Sequence, residues 1–163
     1  MTPKEFKARI NKMYDDAPEF MQRYAPMVAG KAAKQVFKHN FQTESFDGKK
    51  WKQVQRRDGE SAAYKYASKH HPARTARKIL TGDTADLGRS IEIKEIGDGK
   101  ATIWTSPQAF GSKEPYGAVH NEGLKAGRGV GFTMPKRQFI GDSPELKDKV
   151  VAELERQMSR LLK

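Results

Sequence analysis

Ser90-Ile-Glu-Ile-Lys-Glu-Ile-Gly-Asp-Gly-Lys-Ala-Thr-Ile-Trp-Thr105 is two strand-forming runs around Gly97-Asp98-Gly99, a strong hairpin signal. A strand is expected over Ser90 to Ile96 and its return over Lys100 to Thr105. Ile91, Ile93 and Ile96 do not keep a strict period of two, so a bulge or a two-sided strand is expected. On the return, Ala101 and Ile103 face one way and Thr102 and Trp104 the other. Upstream, Thr81-Gly82-Asp83 reads as a turn, and Leu87 to Ser90 leads into the first strand. Downstream, Pro115 starts a short turn or helix that Gly123 ends. Gly127 to Gly131 is a flexible connector into an extended Phe132 to Met134. Pro135 to Gly141 is a tight passage with a strand piece at Gln138 to Ile140.

Helical patterns flank this β-rich centre. Thr2, Pro3 and Glu5 form a capping box with proline in the first turn, and Phe6, Ile10 and Met13 share one face. Asp16 and Glu19 repeat the box, which predicts a second helix reaching about Phe41, with a kink or restart at Pro26. Its buried stripe is Val28 or Ala29, Ala32 or Ala33, Val36, Phe37 and Phe41. Met21, Tyr24 and Phe37 read as core. At the other end Asp142 or Ser143 caps a helix whose Leu146, Val150, Leu154, Met158 and Leu161 or Leu162 recur at helical spacing. That stripe is expected on the sheet, with another subunit as the alternative.

The fold class is therefore α+β: a small antiparallel or mixed sheet packed by N-terminal helices and a long C-terminal helix, with a long basic loop. One domain of 163 residues divides into N-terminal helices (1–43), a basic flexible insertion (44–78), a β-rich region (79–141) and the C-terminal helix (142–163). The composition is lean, at 36% hydrophobic and 31% charged, with a mean hydropathy of −0.83. A compact core is expected in only part of the chain, the rest being solvated or ordered by neighbours. There is no cysteine, which excludes disulfides and thiolate chemistry. No apolar run approaches the ~20 residues of a membrane span, and Met1 to Met13 lacks a signal-peptide core. A soluble chain, used in the cytoplasm or in a particle assembled there, is expected.

The net charge of +11 is uneven, because residues 1–80 hold 18 Lys/Arg against 8 Asp/Glu. The excess concentrates in Lys49, Lys50, Lys52, Arg56, Arg57, Lys65, Lys69, Arg74, Arg77 and Lys78, opposed within that span by Asp58 and Glu60 alone. Phe46-Asp47-Gly48 is a turn before it, and Ser61 to His70 has the pattern of a short helix. So basic a segment seeks a polyanion or an acidic protein surface, or stays a solvated loop without a partner. It is expected to be mobile in the free subunit and ordered on assembly. Trp51 among lysines, with Tyr64 and Tyr66 beyond, interleaves aromatics with charge as single-strand binders do. A basic nucleic-acid-binding module without catalysis is thus the alternative reading.

Catalytic signatures are missing. His39, His70, His71 and His120 lack metal-ligand spacing. His120 with Glu122 resembles an acid–base pair but reads as hydrogen-bonded structure. No Gly-Lys-Ser/Thr follows Gly127 to Gly131, and Ser90 and Ser106 have no nucleophile elbow. The sequence calls for no catalytic residue, no cofactor and no metal.

Three stretches carry a resemblance. Ile79-Leu80-Thr81-Gly82 leads to the Ser90 strand. Tyr116, His120 and Gly123 follow a Tyr-x-x-x-His-x-x-Gly pattern, and Pro135, Arg137 and Phe139 a Pro-x-Arg-x-Phe corner. In this order they resemble the virion-morphogenesis, or tail-completion, proteins of tailed bacteriophages. The resemblance implies small α+β subunits assembled as rings at the neck or head-proximal end of the tail, within a virion built in the bacterial host. It implies partners among identical copies and other tail or connector proteins, with non-specific DNA contact in the bore and no membrane. The station could be the tail-tube terminus, the connector, or the junction between them. The hydrophilic stretch between Trp51 and Lys78 is longer than the family leads one to expect. Arg137, Phe139, Leu154 and Met158 are the candidate subunit interface, Arg137 being suited to a bidentate carboxylate across it or to a salt bridge within the subunit.

Overall fold

A computed structural model describes residues 2–111, 116–127 and 129–161. It is an α+β fold in which long helices carry three small antiparallel hairpins. Helix α1 (Pro3–Glu19) begins with the expected box: Thr2 Oγ1 accepts from the Glu5 amide at 3.3 Å, and Glu5 accepts from the Thr2 amide at 2.7 Å.

No break occurs at Asp16, contrary to the capping-box reading. The chain stays helical through Pro18 into a π turn, Phe20–Tyr24, and continues as α2, Ala25–Thr43. The restart instead lies beside Pro26, and its cause is the missing donor. Pro26 has no N–H for the Gln22 carbonyl four residues earlier. The Ala25 amide reaches back to Phe20, and Gln22 accepts the Gly99 amide at 3.0 Å instead. A proline defect in one helix thereby binds the tip of a distant hairpin.

The core is built on α2. Val36, Phe37 and Phe41 pack with Trp51, Ile79, Leu87, Ile91, Phe110 and Phe139. Of the paired alternatives, Val28 and Ala33 are buried rather than Ala29 and Ala32. Met21 and Tyr24, expected in the core, are 62% and 38% exposed because the π turn rotates them off the buried face.

After α2 come strands β1 (Ser45–Phe46) and β2 (Lys49–Lys50), paired around Asp47 and Gly48 with φ of 51° and 74°. Two consecutive positive φ values favour an Asp-Gly pair. A 3-10 turn at Gln55–Arg57, α3 (Ala62–His70), α4 (Ala73–Ala76) and α5 (Asp86–Arg89) follow. Strands β3 (Ile91–Gly97) and β4 (Lys100–Thr105) form the expected hairpin, with a register shift between Ile93 and Glu95. Helix α2 lies on this sheet at Gly30, where a Cβ would stand 3.1 Å from that of Ala101. On the other face Lys94 Nζ sits 5.1 Å from the Trp104 ring centroid.

A 3-10 turn (Pro107–Phe110) precedes α6 (Gly117–Glu122), which ends at Gly123 in the left-handed conformation. Pro115, the expected start of that element, and Arg128 of the glycine-rich connector lie outside the described residues. The connector is the tip of a hairpin joining β5 (Lys125–Ala126) to β6 (Phe132–Thr133).

Helix α7 (Pro144–Leu161) closes the fold. Ser143 Oγ accepts from the Leu146 amide at 3.2 Å, and Asp47 accepts from both Ser143 Oγ and the Glu145 amide. Helix α7 packs along α2 rather than on the sheet. The sheet face expected to receive it is covered by α2 itself.

Candidate functional site

The basic segment is hydrogen-bonded along its length to the rest of the fold. Trp51, at 6% exposure, turns its ring edge-on to Phe41 at 5.6 Å and donates from Nε1 to the Gln138 carbonyl at 2.7 Å. An aromatic expected to face a partner has become core, because burial of its large apolar surface outweighs the lysines around it. Trp51 therefore offers no face to a base.

The arginines are divided between inside and outside. Arg56 donates to the carbonyls of Arg74, Arg77 and Lys78 at 2.9, 2.8 and 3.0 Å. Desolvation, then the neighbouring Arg57 and Arg77 charges, lower its pKa. Arg57 forms a two-pronged pair with Glu44 at 2.8 and 2.7 Å and also meets the Arg77 carbonyl. Glu44 accepts the Ile79 amide at 2.6 Å as well. The Arg57 hydrogen bonds hold the Glu44 carboxyl below its usual range against the opposing effect of burial. Arg77 and Arg74 both pair with Asp83, Arg74 at 3.2 Å, and Lys78 Nζ donates to the Gln42 carbonyl at 2.6 Å. These cations fasten the segment 51–78 to the body of the fold. Lys49, Lys50, Lys52, Lys65 and Lys69 remain exposed, Lys50 donating to the Thr43 carbonyl.

The second cluster is the 135–141 passage. It forms no strand at Gln138 to Ile140, because side chains replace a strand partner. Asn40 Nδ2 donates to the Phe139 carbonyl at 3.1 Å, Trp51 Nε1 takes the Gln138 carbonyl, and Asn121 Oδ1 accepts the Phe139 and Ile140 amides. Phe139 is wholly buried, 5.2 Å from the Phe41 ring, so it belongs to the core and not to a subunit interface. Arg137 is 5% exposed. Within the subunit it meets no carboxylate among the described residues: its Nε and Nη2 reach the Lys52 and Gln53 carbonyls at 3.0 and 3.4 Å. Burial lowers its pKa.

This geometry makes the Pro135 corner and the basic segment one unit, since Arg137 holds the chain leaving Trp51 while Trp51 holds Gln138. The chain matches the phage virion morphogenesis family over residues 6–159. It belongs to that family. No curated protein and no solved structure was found to match. Membership places the chain among phage structural proteins that build virions, and among the described residues no helix is long and apolar enough to cross a membrane.

Among the described residues, the other chemistry-bearing groups do not converge. His120 packs edge-on against Tyr116 at 5.7 Å, whereas Glu122 faces Asn121 and Lys136. No group of three His, Asp or Glu among the described residues could hold a metal ion.

A separate apolar surface lies at the chain's two ends. Helix α1 has no buried residue, and Phe6, Ile10 and Tyr14 are 58%, 47% and 82% exposed. A groove of about 1160 Å³ runs between α1, the π turn, Ile96 and Met158. Of the expected interface residues, Leu154 is half-buried and Met158 is exposed beside this groove. The sequence shows the α1 stripe, but its lack of an internal partner depends on where α2 and α7 meet.

Proposed function

We propose that this chain is a tail-completion, or head–tail joining, subunit that assembles as a closed ring at the neck or head-proximal end of the tail. The observation that carries the proposal is α1: a 17-residue amphipathic helix that fully buries none of its apolar residues within the subunit and leaves Phe6, Ile10 and Tyr14 exposed. Monomeric proteins rarely leave such contiguous apolar surface uncovered. The occupant we assign is a second copy. Helix α1 is basic in its first part (Lys4, Lys7, Arg9, Lys12) and acidic in its last (Asp15, Asp16, Glu19). A staggered, head-to-tail neighbour sets unlike charges against each other while covering Phe6 and Ile10. Head-to-tail contacts form rings when their rotation closes. In the β3–β4 hairpin both outer edges also remain unpaired among the described residues, leaving strand addition by a neighbouring tail or connector protein open.

Native mass spectrometry at about 100 μM tests the reading. A closed species of more than two copies, lost in Phe6→Ser/Ile10→Ser while the fold persists, is expected. A strict monomer, or a dimer and nothing larger, overturns it.

A further inference from the structure

The outer face of α3 uses its residues for nothing inside the subunit. Ala67 is its one buried residue, whereas Lys65, Tyr66, Lys69 and His70 are exposed. At ~100° per residue these four span an arc of roughly 140° opposite the buried side. Tyr66, 62% exposed, lies 4.7 Å from the His70 ring and 6.3 Å from that of His71. From Ser61 to Lys78 the chain carries no Asp or Glu. Arg74 and Arg77 are paired with Asp83, and Lys78 with a carbonyl. The fold thus separates the basic block into internal fasteners and an outward pair of lysines beside an aromatic cluster.

We propose that this face of α3 binds single-stranded nucleic acid, with Lys65 and Lys69 on phosphates and Tyr66 stacking on an unpaired base. Cations alone suit any polyanion. An exposed tyrosine held against two imidazoles between them favours a partner with flat faces as well as charge. Ser61 caps the helix by accepting the Tyr64 amide at 3.0 Å, and Arg56 and Arg57 tie down the chain before it, so the face is presented on a braced element. The inference does not rest on ring assembly. A monomer that binds by this face retires the assembly reading and keeps this one.

Fluorescence anisotropy with the full chain and a labelled 30-nucleotide oligothymidylate, from 50 to 200 mM salt, tests the proposal. Lys65→Gln/Lys69→Gln is expected to weaken binding and to lower the log–log salt slope by about 1.4, at ~0.7 per phosphate contact. Tyr66→Ala is expected to weaken it about tenfold with the slope unchanged. Lys31→Gln/Lys147→Gln, at exposed lysines of α2 and α7, serves as the control and should bind as the unaltered chain does. All variants change exposed side chains, and thermal melts verify that they fold. No binding at 50 mM salt, full affinity in either α3 variant, or equal competition by polyglutamate would overturn it, the last pointing to an acidic protein surface.

Discussion

Asn121 Oδ1 accepts the backbone N–H of Phe139 at 2.9 Å and that of Ile140 at 3.0 Å, from a helix eighteen and nineteen residues earlier in the chain. Its Nδ2 donates to Glu122, so the amide is oriented with its oxygen toward the passage. One side chain does what a neighbouring strand does in a sheet. Asn121→Ala leaves two partly buried amides without acceptors. A loss of about 2–3 kcal/mol is expected, read as a melting temperature lower by about 5–10 °C. Asn121→Asp keeps an acceptor and should lose less.

The Glu44 carboxyl joins Arg57 and the Ile79 amide while sitting at the left-handed end of α2, with φ of 54°. Its pKa lies below the ordinary 4.5 of a glutamate in the folded chain. The stabilisation it contributes is present above 4.5 and is lost as pH falls through that value toward the folded pKa. Glu44→Gln should flatten the acid limb of the stability profile in denaturant titrations between pH 5 and 3 (an interval set by the ~4.3 of an ordinary glutamate). The exposed Arg74–Asp83 pair should contribute little, so Arg74→Ala is expected to leave the melting temperature nearly unchanged.

His120 carries a buried Nδ1 with no hydrogen-bond partner among the described residues. Desolvation, then the nearby Arg137 charge, push its pKa below 6.5. The unfolded chain therefore takes up the proton first. Stability is held above 6.5 and declines as pH drops below it, until the folded pKa is reached. His120→Phe, which keeps a ring against Tyr116, should remove that slope from melting curves recorded from about pH 7.5 to 5.5 (either side of the ordinary ~6.5 of histidine).

Arg56 binds three carbonyls of the 74–78 stretch. Limited trypsin digestion of the isolated chain should therefore be slow at Arg56, Arg57 and Arg77. Arg56→Ala frees that stretch, and cleavage after Arg74 and Arg77 should rise about tenfold or more, the equivalent of ~1.4 kcal/mol in local opening. Rapid cleavage of the unaltered chain at all these sites would restore the mobile-insertion reading.

Pro26 leaves the Gln22 carbonyl to the Gly99 amide. Pro26→Ala supplies a competing intrahelical donor. Hydrogen exchange at Gly99 should accelerate about tenfold, corresponding to ~1.4 kcal/mol of lost protection. Unchanged protection would mean that the π turn does not depend on the proline.

Signals spanning a few residues were legible before any coordinates. The Thr2–Glu5 box, the Asp47-Gly48 and Asp98-Gly99 turns, the short helix after Ser61, the Gly123 stop and a bulge within the first strand of the hairpin all agree with the pattern. In each case a donor and acceptor lie within about four residues, or a φ value demands a particular residue type. The second capping box failed for an instructive reason: Asp16 and Glu19 fit a helix start, but a chain already helical has no free amides there to cap.

The chain by itself settled an α+β subunit, its outer helix caps and hairpin tips, and its membership of a virion-building family, since these rest on short-range chemistry and on residue order. Tertiary structure alone decided which charges are spent within the subunit and which face outward. Arg57 finds Glu44 thirteen residues back, Trp51 finds Gln138 87 residues on, and Arg137 finds Lys52 across 85. Such partners follow from how packed elements bring distant backbone together. An arginine bound to carbonyls reads identically, in sequence, to one awaiting a polyanion.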